Sequence, residues 1–454
     1  MHSSDGLRRE LGLLDATMIN AGTTIASAIF IVPSTVALAF HATMPILLLW
    51  VVGGLVSLCG ALCVAELGAA MPEAGGQYVY LGRAFHPLFG FLYGWTAFLI
   101  INTASVATIA HGFASYLARL VPLPPESLPA VASASIVVLT LLNLRGLRTG
   151  AVTQNVFTLT KIGALAAIPL LALLLPGGST RNLEPMWPTT GTSILAAGPA
   201  LVAILWAYDG WIESSYVGSE IKDPGRILPR SILYSTLLVT GVYVATNAAY
   251  LYLLGPESMS GAGLVAVEAM QVVLGQWGDR FIAAAIVVAT LGANNGIIFT
   301  APRIPYAMAH EGMFFAWATK LHPKTKSPNV LLLVQMVVAV IYAMSGTYDK
   351  LLTYVVFASF LFYALSALAV MVLRKREPGL PRPYRTWGYP VTPILFILFA
   401  IYLVIDSFVH TPTDSVIGMG IVLLGVPAYF YWKRREGREP QGPGIARPAA
   451  SRDS

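Results

Sequence analysis

The stretch Gly22-Thr23-Thr24-Ile25-Ala26-Ser27-Ala28 interrupts an apolar segment that runs from residue 14 to residue 40. A second stretch, Trp206-Ala207-Tyr208-Asp209-Gly210-Trp211, interrupts an apolar segment over residues 193–218. A helix that faces lipid should be continuous, because a freed backbone N–H or C=O group finds no water there. Breaks at matching places in two halves of a chain mark a solute site between membrane helices. The sequence therefore predicts a binding site built from two discontinuous helices.

The composition is that of a membrane protein with many spans. Of the 454 residues, 56% are hydrophobic and only 11% are charged, whereas soluble domains contain about 25% charged residues. No polar stretch is long enough to form a soluble domain. We expect one transmembrane domain over residues 13–433, preceded by a cytoplasmic segment 1–12. A tail rich in Pro, Gly and Arg, residues 434–454, is expected to be cytoplasmic and disordered.

Twelve apolar windows are long enough to cross roughly 30 Å of hydrocarbon. They lie at residues 14–40, 44–68, 88–118, 128–146, 152–175, 193–218, 231–254, 280–302, 328–346, 350–373, 391–410 and 414–432. These windows predict an all-α membrane protein with twelve transmembrane helices. Because the breaks fall in windows one and six, we expect two five-helix repeats of opposite topology. The repeats would cover about 13–175 and 193–373, and two extra helices would follow over about 391–433.

The distribution of basic residues supports this topology. With the N-terminus in the cytoplasm, most of the 28 Lys and Arg residues fall on the cytoplasmic side, as the positive-inside rule requires. The loops on the other side hold Arg119, Arg181, Arg280 and Lys350. A missed or invented span would invert every later loop. We therefore expect both termini in the cytoplasm and the chain in the plasma membrane. The net charge of +6 follows from this bias and gives no reason to expect a nucleic-acid partner.

The first break has the composition of a carboxylate site. If the helix unwinds there, its second half presents free N–H groups and the positive end of its dipole, which together bind anions. A face of small residues for helix packing would explain the same spacing. The residues assigned to substrate binding in this break are Thr23, Thr24, Ile25, Ala26, Ser27 and Ala28.

The second break contains an acidic residue within an apolar span. Charges there are costly and by default mark functional sites, and freed carbonyls of an unwound stretch can accept hydrogen bonds from an ammonium group. Alternatively, Asp209 and Glu213 lie at a water-filled mouth, and Trp206 is an interfacial anchor. The residues assigned to substrate binding in this break are Trp206, Asp209 and Gly210.

Two further features place polar side chains inside spans. Lys161 lies near the middle of window five, where it needs an acceptor or must lose its charge. It is either a fixed cation bonded to unwound carbonyls, in the place of a sodium ion, or the group that couples transport to protons. A lysine that reaches the interface along its stem is the plain alternative. Asn294 and Asn295 interrupt window eight and can bind substrate, bond to the first break or join helices.

Other chemistries find little support. The seven histidines are scattered, and the chain contains neither HExxH nor GxSxG, so we expect no enzyme, no cofactor and no metal. The only two cysteines, Cys59 and Cys63, lie in one apolar window. No cysteine lies in a loop, so no disulfide bond to a partner subunit is expected.

Several separated motifs resemble the amino acid–polyamine–organocation superfamily and, within it, the L-type amino acid transporter family. The resemblance covers nearly all of residues 8–433. The motifs are GLLDATMINAGTTIASAIFIVPS (12–34), AELGAAMPEAGGQYVYLGRAF (65–85), QNVFTLTKIGALA (154–166), LWAYDGWIESSYVGSEIKDPGRILPRSI (205–232) and GANNGIIFTAPRIPYAMAHEGMF (292–314). The resemblance implies a LeuT-type inverted-repeat fold and Na⁺-independent amino acid transport, often by exchange.

The resemblance also implies a role for the first break, where this chain departs from the family. The family pattern is Gly-Ser-Gly-Ile-Phe, and its amides hold the substrate α-carboxylate. Here the stretch is Ala26-Ser27-Ala28-Ile29-Phe30, and the two added methyl groups narrow the site and disfavour a positive φ.

The same resemblance assigns further residues. It implies that the carbonyls of Thr24, Trp206 and Asp209 bind the α-amine, that Trp206 is the aromatic gate, and that Lys161 occupies the place of a sodium site. Eukaryotic members bond a heavy subunit through a cysteine before span four. The corresponding stretch, residues 119–129, has none, so no such partner is expected.

We therefore predict Na⁺-independent secondary transport of amino acids by alternating access, with exchange of small neutral amino acids as the leading hypothesis. Proton-coupled symport through Lys161, and transport of cationic amino acids or polyamines, are the alternatives within the class. A sensor that binds amino acids without moving them would use the same residues and would differ only in flux. A channel is disfavoured, because the breaks describe an occluded site and no ring of charges.

Overall fold

The computed structural model describes residues 6–188, 197–345 and 348–436, which form helices joined by short loops. Apart from isolated bridges between Leu11 and Ile221 and between Pro176 and Gly178, these residues contain no β-structure. The predicted tail beyond residue 436, the first five residues and the start of window six lie outside the described residues.

The first part of the chain folds into eight α-helices with one π-helical turn. They are α1 (Leu13–Thr24), α2 (Ala28–Phe40), α3 (Thr43–Ala70), α4 (Gln77–Ala84), α5 (Pro87–Thr96), the π turn Ala97–Ile101, α6 (Asn102–Leu120), α7 (Leu128–Leu144) and α8 (Leu147–Leu174).

The second part contributes ten more α-helices. They are α9 (Ala197–Ala207), α10 (Glu213–Tyr216), α11 (Pro224–Gly261), α12 (Val265–Leu274), α13 (Trp277–Thr300), α14 (Arg303–His310), α15 (Asn329–Ser345), α16 (Tyr348–Arg376), α17 (Val391–His410) and α18 (Pro412–Glu436). Short 3₁₀ turns cover Pro125–Ser127, Thr180–Leu183, Gly218–Glu220 and Ala316–Thr319.

Most of the predicted windows coincide with helices of membrane-spanning length. Within the described residues, nine helical segments are long and apolar enough to cross a membrane, and α1 with α2 makes a tenth. The prediction of an all-α fold with many apolar helices is confirmed. Windows six and nine correspond to the shorter apolar helices α9 and α15, so length alone supports fewer than the twelve spans predicted.

The first break is a sharp change of direction in the middle of the helical core. Helices α1 and α2 meet at an angle of 50°, because Ile25 adopts an extended conformation with φ −75° and ψ 97°. Helix α1 packs against α8, α11 and α13. Small residues permit this approach: a Cβ on Gly22 would lie 2.1 Å from Thr158 Oγ1, and one on Gly296 would lie 2.2 Å from Thr23 Oγ1.

Buried polar contacts close one end of the bundle, the end that carries the N-terminal segment. The amides of Glu10 and Leu11 donate to the carbonyl of Glu220, at 2.9 and 3.0 Å. The carboxylate of Glu220 pairs with Arg303 at 2.8 Å, and both side chains are 1% exposed. The N-terminal segment, the end of the second broken helix and the end of α13 are thereby joined.

Candidate functional site

The first break offers unoccupied backbone N–H groups. Ala26 and Ser27 lie between the two half-helices and are half-buried, and Ala28 begins α2. Among the described residues, no hydrogen-bond acceptor is found for the amides of these three residues. They precede a helix of 13 residues, whose dipole adds positive potential at that end. The arrangement suits a carboxylate.

The carbonyls of the same break are occupied by Lys161. Its ammonium group donates to the carbonyl oxygen of Gly22, to that of Ile25 at 2.7 Å and to that of Ala289 at 3.1 Å. The side chain is 1% exposed, so water does not satisfy it. An ammonium group has three N–H donors, and here each has an acceptor. Lys161 therefore ties the broken part of α1 to α13 through its buried amino group.

Space for this lysine is provided by a glycine on the facing helix. A Cβ added at Gly292 would lie 2.8 Å from Lys161 Cε, 2.9 Å from its Nζ and 2.8 Å from the Cβ of Phe157. Real side chains essentially never approach below 3.0 Å. An alanine at this position would therefore press on the ammonium group.

The second break covers the residues between α9 and α10. Gly210 has φ +122°, and a Cβ there would lie 2.7 Å from the amide nitrogen of Thr24, so the two breaks touch at a position that only glycine fits. The Oδ1 atom of Asp209 accepts from the amide of Gly210 at 2.9 Å and from the hydroxyl of Tyr363 at 2.7 Å. The amide of Asp209 donates to the carbonyl of Trp206 at 3.1 Å.

A tyrosine hydroxyl joins the carbonyl ends of the two breaks. The OH group of Tyr243 lies 3.1 Å from the carbonyl oxygen of Thr24 and 3.1 Å from that of Ala207. Tyr243 is fully buried. Sequence reasoning missed this residue, because a tyrosine in the apolar window seven carries no local signal of a partner.

The remaining predicted site residues divide into two groups. Trp206 is half-buried and packs against the core cluster that contains Ile25. Asn295 lies in a network between helices: it donates to Gln154 Oε1 at 2.8 Å and accepts from Asn143 Nδ2 at 2.9 Å. The side chain of Asn294 is fully buried, and within the described residues neither of its polar atoms has a hydrogen-bond partner.

The structure also bears on the predictions about metals and thiols. In residues 6–188, 197–345 and 348–436, no group of three or more His, Cys, Asp or Glu side chains is arranged to hold a metal ion. Cys59 and Cys63 are free thiols, half-buried and buried respectively. The expectation of no disulfide-linked partner stays a prediction.

Comparison with known proteins decides the family. Residues 11–426 match the family model described as amino acid permease. The chain belongs to the amino acid permease family. As its relatives are transporters, the permease is a multi-pass membrane transporter of amino acids and not an enzyme.

Three relatives illustrate the similarity of the permease to known proteins. It is 32% identical over 437 residues to the b(0,+)-type amino acid transporter 1 of Mus musculus, covering 93% of the permease and 88% of the relative. It is 32% identical over 443 residues to the serine/threonine exchanger SteT of Bacillus subtilis, covering 96% and 100%. It is 34% identical over 442 residues to the large neutral amino acids transporter small subunit 2 of Homo sapiens, covering 94% and 82%.

Proposed function

We propose that this permease is a Na⁺-independent exchanger of small neutral amino acids that works by alternating access in the plasma membrane. The observation that carries the proposal is the contact between the two breaks at Gly210 and Thr24. The contact supports a shared site, because an amino acid carries both a carboxylate, which free amides bind, and an ammonium group, which carbonyls bind.

We propose a topology of twelve spans within residues 13–433, with both termini in the cytoplasm. In addition to the ten segments of spanning length, α9 and α10 together would form span six, and α15 would form span nine. Breaks in spans one and six then stand five helices apart, as an inverted repeat requires. The tenth window, α16, would end the second repeat, and α17 and α18 would be the two extra helices.

Sodium independence follows from the backbone carbonyls that Lys161 occupies. A sodium ion bound in a broken transporter helix takes carbonyl oxygens as ligands. Here the ammonium group of Lys161 already bonds the carbonyls of Gly22, Ile25 and Ala289. The break therefore holds a fixed cation, and a sodium ion would have to displace it.

The preference for small neutral substrates rests on the walls of the site. The methyl groups of Ala26 and Ala28 lie beside the amides that would hold the carboxylate. Asp209, which could pair with a cationic side chain, already accepts two hydrogen bonds. The names of the relatives, among them a serine/threonine exchanger and a transporter of large neutral amino acids, are in keeping with neutral substrates. Trp206 would close the site from outside.

Flux measurements in proteoliposomes test the proposal. Labelled serine, alanine, leucine, lysine and putrescine would be offered with and without internal amino acid, and with sodium or choline outside. We expect uptake of the small neutral amino acids, stimulated by internal amino acid and indifferent to sodium. Binding without flux would instead favour a sensor, and strict sodium dependence would contradict the role given to Lys161.

Two substitutions refine the test. Trp206→Ala should weaken substrate retention and raise KM, whereas Trp187→Ala, at a position that is 60% exposed, should leave KM unchanged. Ala28→Gly, which restores the family residue, should admit larger neutral substrates. An unchanged substrate range in this variant would contradict the argument from the added methyl groups.

A further inference from the structure

Glu213 is a buried carboxyl group that the proposed binding of substrate does not use. It begins α10, just after the second break, and is 6% exposed. Its Oε2 atom contacts the hydroxyl of Thr300 at the end of α13. No ion pair of the described residues involves Glu213. A buried carboxylate without a cation is costly to keep charged.

Thr300 offers a hydrogen-bond partner to Glu213 in its neutral form. The Oγ1 atom of Thr300 lies 3.0 Å from the carbonyl oxygen of Gly296 in its own helix, and it also contacts Glu213. The hydroxyl has one hydrogen to donate, and the carbonyl can only accept. If that hydrogen goes to Gly296, the second contact is a hydrogen bond only when the acid of Glu213 donates. A protonated Glu213 satisfies both contacts at once.

The groups around Glu213 favour the neutral acid. Asp209 is a second carboxyl group that interacts with Glu213, and its Oδ1 accepts from Tyr363 at 2.7 Å and from the amide of Gly210 at 2.9 Å. The hydroxyl of Tyr93 donates to that of Tyr216 at 2.7 Å. Glu213 thus interacts electrostatically with Asp209 and with three tyrosines (Tyr93, Tyr216 and Tyr363), and no basic side chain is among these groups.

We propose that Glu213 is a proton-binding site that couples amino acid movement to proton movement in this permease. The inference rests on the proposed transport function and moves the proton away from Lys161. Three carbonyls surround the lysine ammonium, and a neutral amine has only two N–H donors, so loss of its proton would break one of these three contacts. Lys161 is the fixed charge, and Glu213 is the group that can gain and lose a proton.

The position of Glu213 links its proton to the movement of α1 and α10 relative to α13. Asn20 of α1 accepts from the amide of Ser214 at 2.7 Å and donates to its hydroxyl at 3.0 Å, so α1 and α10 are fastened together. When this pair swings away from α13 to open its end of the bundle, Glu213 separates from Thr300 and meets water. The acid then passes its proton to a water molecule, which leaves a solvated carboxylate and a hydronium ion. Closure requires a proton to return.

The test uses the full-length permease in proteoliposomes and a neutral amino acid that it exchanges. With the outside one pH unit more acidic, one proton per substrate supports up to about tenfold accumulation, and a protonophore should abolish it. The variant Glu213→Gln retains a donor for Thr300 but no titratable group. We expect it to exchange amino acids but to show no accumulation driven by the gradient. Glu126→Gln, at an exposed position, should accumulate substrate as the unsubstituted protein does.

The outcomes separate the two proposals. Amino acid exchange that ignores the pH gradient in the unsubstituted permease, or gradient-driven accumulation that persists in Glu213→Gln, would overturn the proton site and leave the exchanger standing. No flux of any amino acid would overturn both. If Glu213→Gln is not recovered folded, a pH dye trapped inside vesicles of the unsubstituted protein decides. Absence of substrate-dependent acidification overturns the site, and acidification that Lys161→Met abolishes while exchange continues overturns it in favour of the lysine; acidification that Lys161→Met retains supports Glu213.

Discussion

Replacing Gly292 by alanine tests whether the buried ammonium of Lys161 holds the first break. The added Cβ would lie 2.9 Å from Nζ and 2.8 Å from Cε of the lysine, and 2.8 Å from the Cβ of Phe157. The Phe157 atom is anchored to its backbone, so relieving that contact requires α8 and α13 to shift apart, and relieving the other two requires the lysine to move. Reaching ordinary contact at 3.4 Å displaces the ammonium by about 0.5 Å, which would stretch its 2.7 Å bond to the Ile25 carbonyl to the limit of a hydrogen bond.

The size of the effect follows from two opposing contributions. Overpacking of a well-packed core costs about 1–3 kcal/mol, and replacing a helical glycine by alanine returns about 1 kcal/mol. Gly163 supplies the matched control, because it lies in α8 two positions after Lys161 and an added Cβ would meet nothing within 4 Å. Gly163→Ala therefore gains only the stabilisation of about 1 kcal/mol that alanine gives over glycine in a helix. The difference between the variants, about 1–3 kcal/mol, corresponds to a factor of roughly 5–150.

The assay is amino acid exchange by purified protein in proteoliposomes, with thermal unfolding in detergent measured in parallel. We expect Gly292→Ala to exchange more slowly than Gly163→Ala and to melt at a lower temperature. Equal exchange rates in the two variants would show that the ammonium group can leave its carbonyls without loss of function. That result would refute the assignment of Lys161 as the cation that organises the break.

Two further substitutions probe the contact of Tyr243 with both breaks and the buried ion pair of Arg303 with Glu220. Tyr243→Phe removes the hydroxyl that lies 3.1 Å from each of two carbonyls, one in each break. The loss of about 1–3 kcal/mol should slow exchange. The control Tyr234→Phe, on the same helix but 49% exposed, should leave the exchange rate unchanged. Equal exchange rates in the two variants would argue against the bridge. Arg303→Met leaves the carboxylate of Glu220 buried without its partner, which should cost about 3–5 kcal/mol and lower the melting temperature strongly. Arg119→Met breaks an ion pair whose side chains are 45% and 33% exposed and should cost under about 1 kcal/mol, so similar losses in both would contradict the argument from burial.

The parts of the fold that the sequence predicts well are those with local signals. Hydropathy over a window locates helices such as α3 and α17 to within a few residues, because an apolar run of spanning length has few alternatives. The break at residues 25–27 is also local, since small and hydroxyl residues in an apolar run weaken helical continuity. Window nine, at 328–346, matches α15 to within one residue, whereas the start of window six lies outside the described residues.

The contacts of the site could not be predicted, because they join residues far apart in the chain. The amides of Asn294 and Asn295 are adjacent in sequence and identical in chemistry, yet only Asn295 finds partners. A step of one residue turns a side chain by about 100° around a helix, and only the packed neighbours decide which direction meets a donor. The bridge from Tyr243 and the room left by Gly292 likewise depend on helices that face each other.

At the first break, carbonyl groups are occupied and amide groups are free, and this difference decides which end of the substrate the break binds. Lys161 occupies the carbonyls of Gly22 and Ile25 and Tyr243 contacts that of Thr24, whereas the amides of residues 26–28 have no acceptor among the described residues. A substrate without a carboxylate would therefore lose its contacts with this half of the site. Hydrogen bonds to a charged group contribute about 1.5–3 kcal/mol each, and the loss of two or three reduces affinity by roughly 100-fold or more. Ethanolamine should thus fail to compete with labelled serine at concentrations where unlabelled serine competes fully. Competition by ethanolamine at similar concentrations would place substrate recognition at the second break alone.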